Sequence, residues 1–313
     1  MRGRWPWSAL FAVTVWGGSF VATKHALGPP EARAFAPAAL AALRFLLGGG
    51  ALLAVLAWRG GIRLPEPADR RRVALLGTIL GTHIGLQTYG LSFTLATHAA
   101  WIVCFTSVTI ALGAQLFLGQ RMRPLGWVGV AVATLGVLGV TRGHAGAPGA
   151  RVGFGDFLQL TGCFTWAAYT LLGARPVRSS GALRVTTWAT LTAGGLLLGL
   201  SLLTGFGAAP SVSQLVALAY LGLVSSAAAF LAWYHAQQVH GSQRTAATLY
   251  LEPFVTALVA SFVDEPLVLA TLLGGTVVLC GVALVQHGAT RARADETGAL
   301  RGAPRAERSP SGL

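Results

Sequence analysis

Hydrophobic and polar positions along this chain are segregated into long blocks. Apolar runs of about 20 residues are separated by short polar connections rich in Arg, Pro and Gly. A helix needs about 20 apolar residues to cross the ~30 Å hydrocarbon core of a bilayer. The pattern predicts an all-α polytopic membrane protein with ten transmembrane helices near residues 7–27, 35–58, 73–93, 98–118, 124–141, 155–174, 183–204, 213–235, 243–263 and 266–287.

The composition agrees with this reading. Apolar residues make up 54% of the chain and charged residues only 11%, against roughly 25% charged in soluble domains. The connections are too short for a separate soluble domain. The polar, Pro- and Gly-containing segment 289–313 is predicted to be a disordered cytoplasmic tail.

The basic residues are distributed unevenly about the predicted helices. If every run crosses the membrane, 18 arginines fall on the side of the N-terminus and 3 on the other side. The positive-inside rule then places both termini in the cytoplasm. The net charge of +13 is therefore a topology signal, and we expect no nucleic-acid partner. Arginine greatly outnumbers lysine, which is typical of a GC-rich bacterial genome and favours a bacterial inner membrane.

The chain contains an internal repeat. A shift of 145 residues aligns 74–140 with 219–285 without a gap. The matched pairs include Leu76 with Leu221, Tyr89 with Tyr234, Gly129 with Gly274, and Gly136 with Gly281. Residues 1–145 and 146–288 then form two repeats of five helices. Because five is odd, the second repeat enters the membrane from the opposite side, and such inverted repeats favour alternating access.

Glu252 lies in the middle of an apolar run and is followed directly by Pro253. A carboxylate at this depth is costly unless it faces a cavity or a partner, and the proline interrupts the helix. We expect Glu252 to line a cavity together with Thr245, Thr248 and Thr256. The alternative is a structural glutamate that hydrogen-bonds a neighbouring helix.

The third predicted helix has two distinct faces. Gly77, Gly81 and Gly85 recur every four residues and favour close helix packing. His83 and Gln87 fall on roughly the opposite side and are candidates for solute binding. The reference pKa of histidine lies near neutrality, so His83 is also a candidate proton carrier. The alternative for His83 is an interhelical hydrogen bond.

Aromatic residues and one arginine complete the candidate site. Rings inside the apolar runs could stack on a solute or attract an ammonium group, or could simply contact lipid. Arg44, deep in the second run, is expected to brace helices through backbone carbonyls, with binding of a substrate carboxylate as the alternative. The aromatic candidates are Trp16, Trp101, Trp166, Tyr169, Trp233 and Tyr250.

Five motifs carry a further signal: VWGGSFVATK (15–24), PAALAALRFLLGG (37–49), LFLGQ (116–120), YLEPFVTALVASFVDEP (250–266) and LGGTVVLCGVALV (273–285). Together they resemble the EamA-type branch of the drug/metabolite transporter superfamily. One of them, LFLGQ, has Gln120 where the family has glutamate, whereas Glu265 keeps the acid in the second half. The resemblance implies ten helices, inverted repeats, a central cavity and solute transport.

The sequence thus predicts a secondary transporter of small organic metabolites, with export of amino acids or related amphipathic solutes as the first expectation. Glu252 or His83 would carry the proton if transport is proton-coupled. The alternatives are a carrier of nucleotide sugars or phosphorylated solutes, and a membrane scaffold or lipid-handling protein. No HExxH, GxSxG or Walker motif is present, so we expect no enzyme, metal or cofactor. The oligomeric state stays open.

Overall fold

The computed structural model describes residues 7–119, 122–142, 153–241, 245–263, 265 and 268–302. Within these ranges the structure is helical and contains no strand. A π-helix (Tyr220–Ala228) and a 3₁₀ helix (Ala247–Leu251) lie among the α-helices of the second half. The α-helices are α1 Trp7–Leu27, α2 Pro37–Trp58, α3 Arg70–Leu91, α4 Ala96–Val103, α5 Thr106–Leu118, α6 Pro124–Arg142, α7 Phe154–Ser180, α8 Ala182–Thr204, α9 Val212–Ala219, α10 Ala229–His240, α11 Glu252–Ala260 and α12 Leu269–Gly302.

Each of the ten predicted apolar runs coincides with helical structure. Six helical segments of the described residues are long and apolar enough to span a bilayer, judged by length and composition. The count of ten crossings therefore stays a prediction. Large apolar side chains such as Trp58, Phe117 and Leu203 lie exposed at the surface, as expected for residues that contact lipid.

Two central helices are interrupted at corresponding positions of the two halves. In the first half, α4 ends at Val103 and α5 begins at Thr106. In the second half, the 3₁₀ helix ends at Leu251, where the α-helical segment that contains Pro253 takes over. Thr106 and Leu251 are 145 residues apart, so the breaks coincide under the repeat. The sequence predicted the break beside Pro253 and missed the break in the first half.

Glycines of α6 and α12 make reciprocal contacts. A Cβ atom on Gly129 would lie 2.5 Å from the backbone oxygen of Gly281, and one on Gly136 would lie 2.9 Å from that of Gly274. Gly129 and Gly274 are repeat-related by the shift of 145 residues, and so are Gly136 and Gly281. The second contact is therefore the first with the two halves exchanged. Such an exchange is the signature of a contact across a two-fold axis, and it requires glycine because the backbones touch.

Other helix pairs exchange in the same way. α3 packs against α7, and the repeat-related pair is α10 against α1. α3 also packs against α8, and the repeat-related pair is the π-helix against α2. The two halves are therefore interleaved around a common centre. The opposite orientation of the halves and the boundary at residues 145 and 146 stay predictions.

The C-terminal segment differs from the prediction of disorder beyond residue 288. The last helix, α12, continues to Gly302. The residues from 289 onward include Ala, Arg, Glu and Leu, which are strong helix formers, so the helix extends past the apolar run. Residues 303–313 and Gln120 lie outside the described residues.

Candidate functional site

A narrow cavity of about 30 Å³ lies where the two halves meet. It receives side chains from α1, α2, α3 and α4 and, in the second half, from α7, α10, α11 and the 3₁₀ helix. Its walls are buried, apart from the half-buried Gln87. The lining residues are Trp16, Ser19, Arg44, His83, Ile84, Gln87, Val103, Trp166, Phe230, Leu249 and Glu252.

Glu252 begins α11 and projects into this cavity. Its side chain is only 3% exposed, and its Oε2 atom has no hydrogen-bond partner among the described residues. Its backbone oxygen would lie 2.9 Å from a Cβ atom on Gly17, so α11 starts in direct contact with α1. A buried carboxylate oxygen without a donor is energetically costly, and it is therefore available to a solute or a proton.

The threonines expected beside Glu252 do not line the cavity. Thr245 Oγ1 donates to the backbone oxygen of Gly241, and Thr248 Oγ1 donates to that of Thr245. Thr256 Oγ1 lies 2.9 Å from the backbone oxygen of Gly17. These hydroxyls satisfy helix backbone carbonyls, which is the usual alternative for threonine in a helix.

Arg44 is held by the π-helix. Its Nε atom donates to Ser226 Oγ and its Nη2 atom to Ser225 Oγ, each over 3.0 Å. The sequence predicted backbone carbonyls as partners and missed these serines, which are visible only as a polar pair within an apolar run. Nη1 has no hydrogen-bond partner among the described residues. Arg44 is 1% exposed and lines the cavity.

Trp16 connects the arginine to the aromatic walls. Its Nε1 atom donates to the backbone oxygen of Ser225 over 3.1 Å. Its ring lies 5.2 Å from those of Trp166 and Phe230, edge-to-face in both cases. This geometry is favourable for aromatic pairs, and it fixes one apolar wall of the cavity.

His83 is positioned from α7. Its Nδ1 atom lies 3.0 Å from the backbone oxygen of Gly162 and 3.2 Å from Thr165 Oγ1. Bonding to a carbonyl requires a proton on Nδ1, so Nε2 is the acceptor in the neutral ring. The predicted interhelical hydrogen bond is therefore present, and His83 also lines the cavity. Gln87, one turn further along, lines it as well.

Four predicted cavity residues lie elsewhere. Trp233 and Tyr169 belong to the packed layer behind the cavity, with ring centroids 5.2 Å from Trp16 and 5.3 Å from Trp166, respectively. Trp101 and Tyr250 pack with α6 and α12 in a separate cluster. Conversely, the sequence did not single out Ser19, Ile84, Val103, Phe230 and Leu249 as cavity residues.

A charged cluster connects the ends of α1, α4 and α11. Glu265 accepts hydrogen bonds from the backbone nitrogens of Ala96 (3.1 Å) and Thr97 (2.8 Å), at the start of α4. Lys24 Nζ lies 3.9 Å from Glu265 Oε2 and donates to the backbone oxygen of Thr94 over 2.9 Å. A carboxylate at a helix N-terminus is favourable because it complements the helix dipole. Lys24 is thus paired with Glu265.

A cavity lined from two related halves, beside helices broken at corresponding positions, is typical of membrane transporters. The chain belongs to the EamA-like transporter family, whose profile matches residues 3–142 and 153–286. The resemblance of the sequence motifs to this family is confirmed. The chain is a multi-pass membrane protein, and its family and relatives are transporters.

Several relatives span nearly the whole chain. One is described as an uncharacterized transporter of Archaeoglobus fulgidus, 29% identical over 88% of this chain and 95% of its own length. Another is described as a probable terminal-alkyne amino-acid exporter of Streptantibioticus cattleyicolor, 31% identical over 90% of this chain and 93% of its own. An inner membrane transporter of Escherichia coli is 28% identical over 81% of each chain.

The fold is also similar to a solved crystal structure. That chain superposes with a TM-score of 0.68 over 91% of this chain and 97% of its own length, at 21% identity. At this identity the similarity concerns the fold alone.

Proposed function

We propose that this protein is a secondary active transporter that exports amino acids or related amphipathic solutes by alternating access. The observation that carries the proposal is the cavity at the junction of the two halves, where buried charged side chains lie among aromatic rings. Its side chains come from both repeats, so a rocking movement of one half against the other would open it to one side at a time.

The chemistry of the cavity supports an amino acid as solute. One cation, one carboxylate and three aromatic rings line it, in Arg44, Glu252, Trp16, Trp166 and Phe230. These groups complement a molecule that carries both charges and an apolar side chain. The relative from Streptantibioticus cattleyicolor, described as an amino-acid exporter, supports the same class and an outward direction.

A phosphorylated solute is less well matched. Phosphate groups are usually bound by several Arg or Lys side chains. Of the Arg and Lys residues in the described part of the chain, Arg44 alone lines the cavity. A scaffold without solute turnover would have no need of buried polar groups that lack partners.

Proton coupling is part of the proposal. Glu252 and His83 are the titratable carboxylate and imidazole on the cavity wall, and either could exchange a proton with the solute as the cavity opens to each side. The protein would act in a bacterial inner membrane with both termini in the cytoplasm, as the arginine distribution predicts.

Reconstitution tests the proposal. Proteoliposomes containing the purified protein are loaded with unlabelled phenylalanine, and entry of labelled phenylalanine by exchange is followed. We expect exchange that saturates with concentration and that is competed by other amino acids. Liposomes without protein give the background rate. Exchange no faster than this background, for a panel of all common amino acids, would reject the proposed substrate class.

A further inference from the structure

Two buried side chains of opposite charge line the cavity, and neither is neutralised by the other. Arg44 is 1% and Glu252 3% exposed. Among the described residues no salt bridge connects them. Each also keeps one polar atom, Nη1 of Arg44 and Oε2 of Glu252, without a hydrogen-bond partner. An unpaired buried charge costs several kcal/mol, so both atoms await a partner that enters the cavity.

One short stretch of α1 contacts the segments that carry both groups. Arg44 is bonded to Ser225, whose backbone oxygen accepts the indole N–H of Trp16. The next residue, Gly17, contacts the backbone oxygen of Glu252. Two consecutive residues of α1 thus contact the segments that carry Arg44's partner and Glu252, and Trp16, Arg44 and Glu252 line the same cavity.

The protein fixes the arginine in one orientation. Two hydrogen bonds to consecutive serines of the π-helix hold Nε and Nη2, which leaves Nη1 as the donor available to the cavity. The planar guanidinium cannot rotate away without breaking both bonds. A preorganised donor of this kind loses little conformational entropy when it binds an anion.

We infer that Arg44 and Glu252 form a two-point site for a zwitterion, in which Arg44 binds the carboxylate of an α-amino acid and Glu252 binds its ammonium group. This inference rests on the proposed function and assigns the two ends of its solute. The edge-to-face rings of Trp16, Trp166 and Phe230 line the same cavity. They would take an apolar side chain. Arg44, which the sequence suggested to be mainly structural, becomes a specificity-determining residue.

Binding of three related molecules to the purified protein tests this inference. Phenylalanine carries both charges, phenethylamine lacks the carboxylate, and hydrocinnamate lacks the ammonium group. Affinities are measured in detergent by the change in tryptophan fluorescence, to which Trp16 and Trp166 in the cavity wall contribute. A hydrogen bond to a charged group is worth about 1.5–3 kcal/mol, so each analogue should bind at least about tenfold more weakly than phenylalanine.

The variants should show a crossed pattern. Arg44→Gln should lower the affinity for phenylalanine at least about tenfold, while the affinity for phenethylamine stays within about twofold. Glu252→Gln should lower the affinity for phenylalanine by a similar factor, while the affinity for hydrocinnamate stays within about twofold. The controls Arg59→Gln and Glu31→Gln remove the same charges from exposed positions and should change none of the three affinities.

Three outcomes overturn the inference. If Arg44→Gln lowers the affinity for phenethylamine as much as that for phenylalanine, the arginine has a structural role only. If Glu252→Gln lowers the affinity for hydrocinnamate as much as that for phenylalanine, the carboxylate does not bind the ammonium group. If the unmodified protein binds all three molecules equally, there is no two-point site, and this last comparison needs no variant to fold. If the unmodified protein exchanges phenylalanine but fails these comparisons, the two-point site is rejected and the proposed function stands. If it exchanges no amino acid, both are rejected.

Discussion

Cys104 and Leu249 contact each other across the centre of the molecule, and they are repeat-related residues. The Sγ atom of Cys104 lies 3.7 Å from the backbone oxygen of Leu249, and their numbers differ by the 145 residues that relate the two halves. A contact between equivalent residues lies on the axis that exchanges the halves. Both residues fall at the helix breaks, so the axis passes beside the cavity.

Glu252→Gln should abolish the dependence of transport on a pH gradient, because the amide cannot carry a proton. Uptake into proteoliposomes is compared with and without an imposed gradient. The exposed Glu31→Gln serves as the control and should retain the full dependence. A Glu252→Gln protein that also retains it would exclude Glu252 as the carrier and leave His83 as the remaining candidate.

Gly129→Ala should destabilise the protein by about 1–3 kcal/mol, since overpacking costs this much. The new Cβ would lie 2.5 Å from a backbone oxygen of α12, so α6 and α12 must separate. Thermal unfolding in detergent measures the effect. Gly199→Ala is the matched control, because a Cβ at this helical glycine meets nothing within 4 Å. Equal melting temperatures for the two variants would contradict the close contact.

Glu265→Ala should lower the stability by about 1–3 kcal/mol, because two backbone nitrogens at the start of α4 lose their acceptor. Glu265→Gln should cost less, since its amide oxygen still accepts hydrogen bonds. Glu66→Ala is the control: Glu66 is 56% exposed and pairs with Arg184 at the surface, where an ion pair is worth about 0–1 kcal/mol. The prediction fails if Glu265→Ala melts no lower than Glu66→Ala.

Reporter fusions should place both termini in the cytoplasm. An even number of crossings puts the two ends on the same side, and the arginine distribution makes that side the inner one. A fluorescent protein that matures only in the cytoplasm can be attached to either end. Fluorescence from one fusion but not from the other would require an odd number of crossings and would remove the basis for two inverted five-helix repeats.

The repeat was the most informative sequence signal. The pairs Gly129 with Gly274 and Gly136 with Gly281, found by a shift along the chain, turned out to be the residues at which α6 and α12 touch. Pro253 likewise predicted the change of helix type at Glu252. Both signals work because backbone contact and proline sterics constrain residue type locally.

The break between α4 and α5 left no comparable signal. Residues 103–106 contain neither proline nor glycine. The interruption could be recognised only by comparison with the repeat-related break beside Pro253. The partners of Arg44 were missed for a similar reason. Ser225 and Ser226 lie 181 and 182 residues away in the chain, and only the packing of α2 against the π-helix brings them to the guanidinium.

By itself, the sequence determined the apolar helices, because insertion of a helix into lipid depends on the hydropathy of that helix alone. The repeat, the family and the carboxylate within an apolar run follow directly from the residue identities. Only the tertiary structure decided which rings face the cavity. It turned Trp16 and Trp166 towards the cavity and kept Trp101, Trp233, Tyr169 and Tyr250 in the packed core. The reason is physical: a helix that is apolar on all sides carries no periodic signal for its rotation, which neighbouring helices then set through packing.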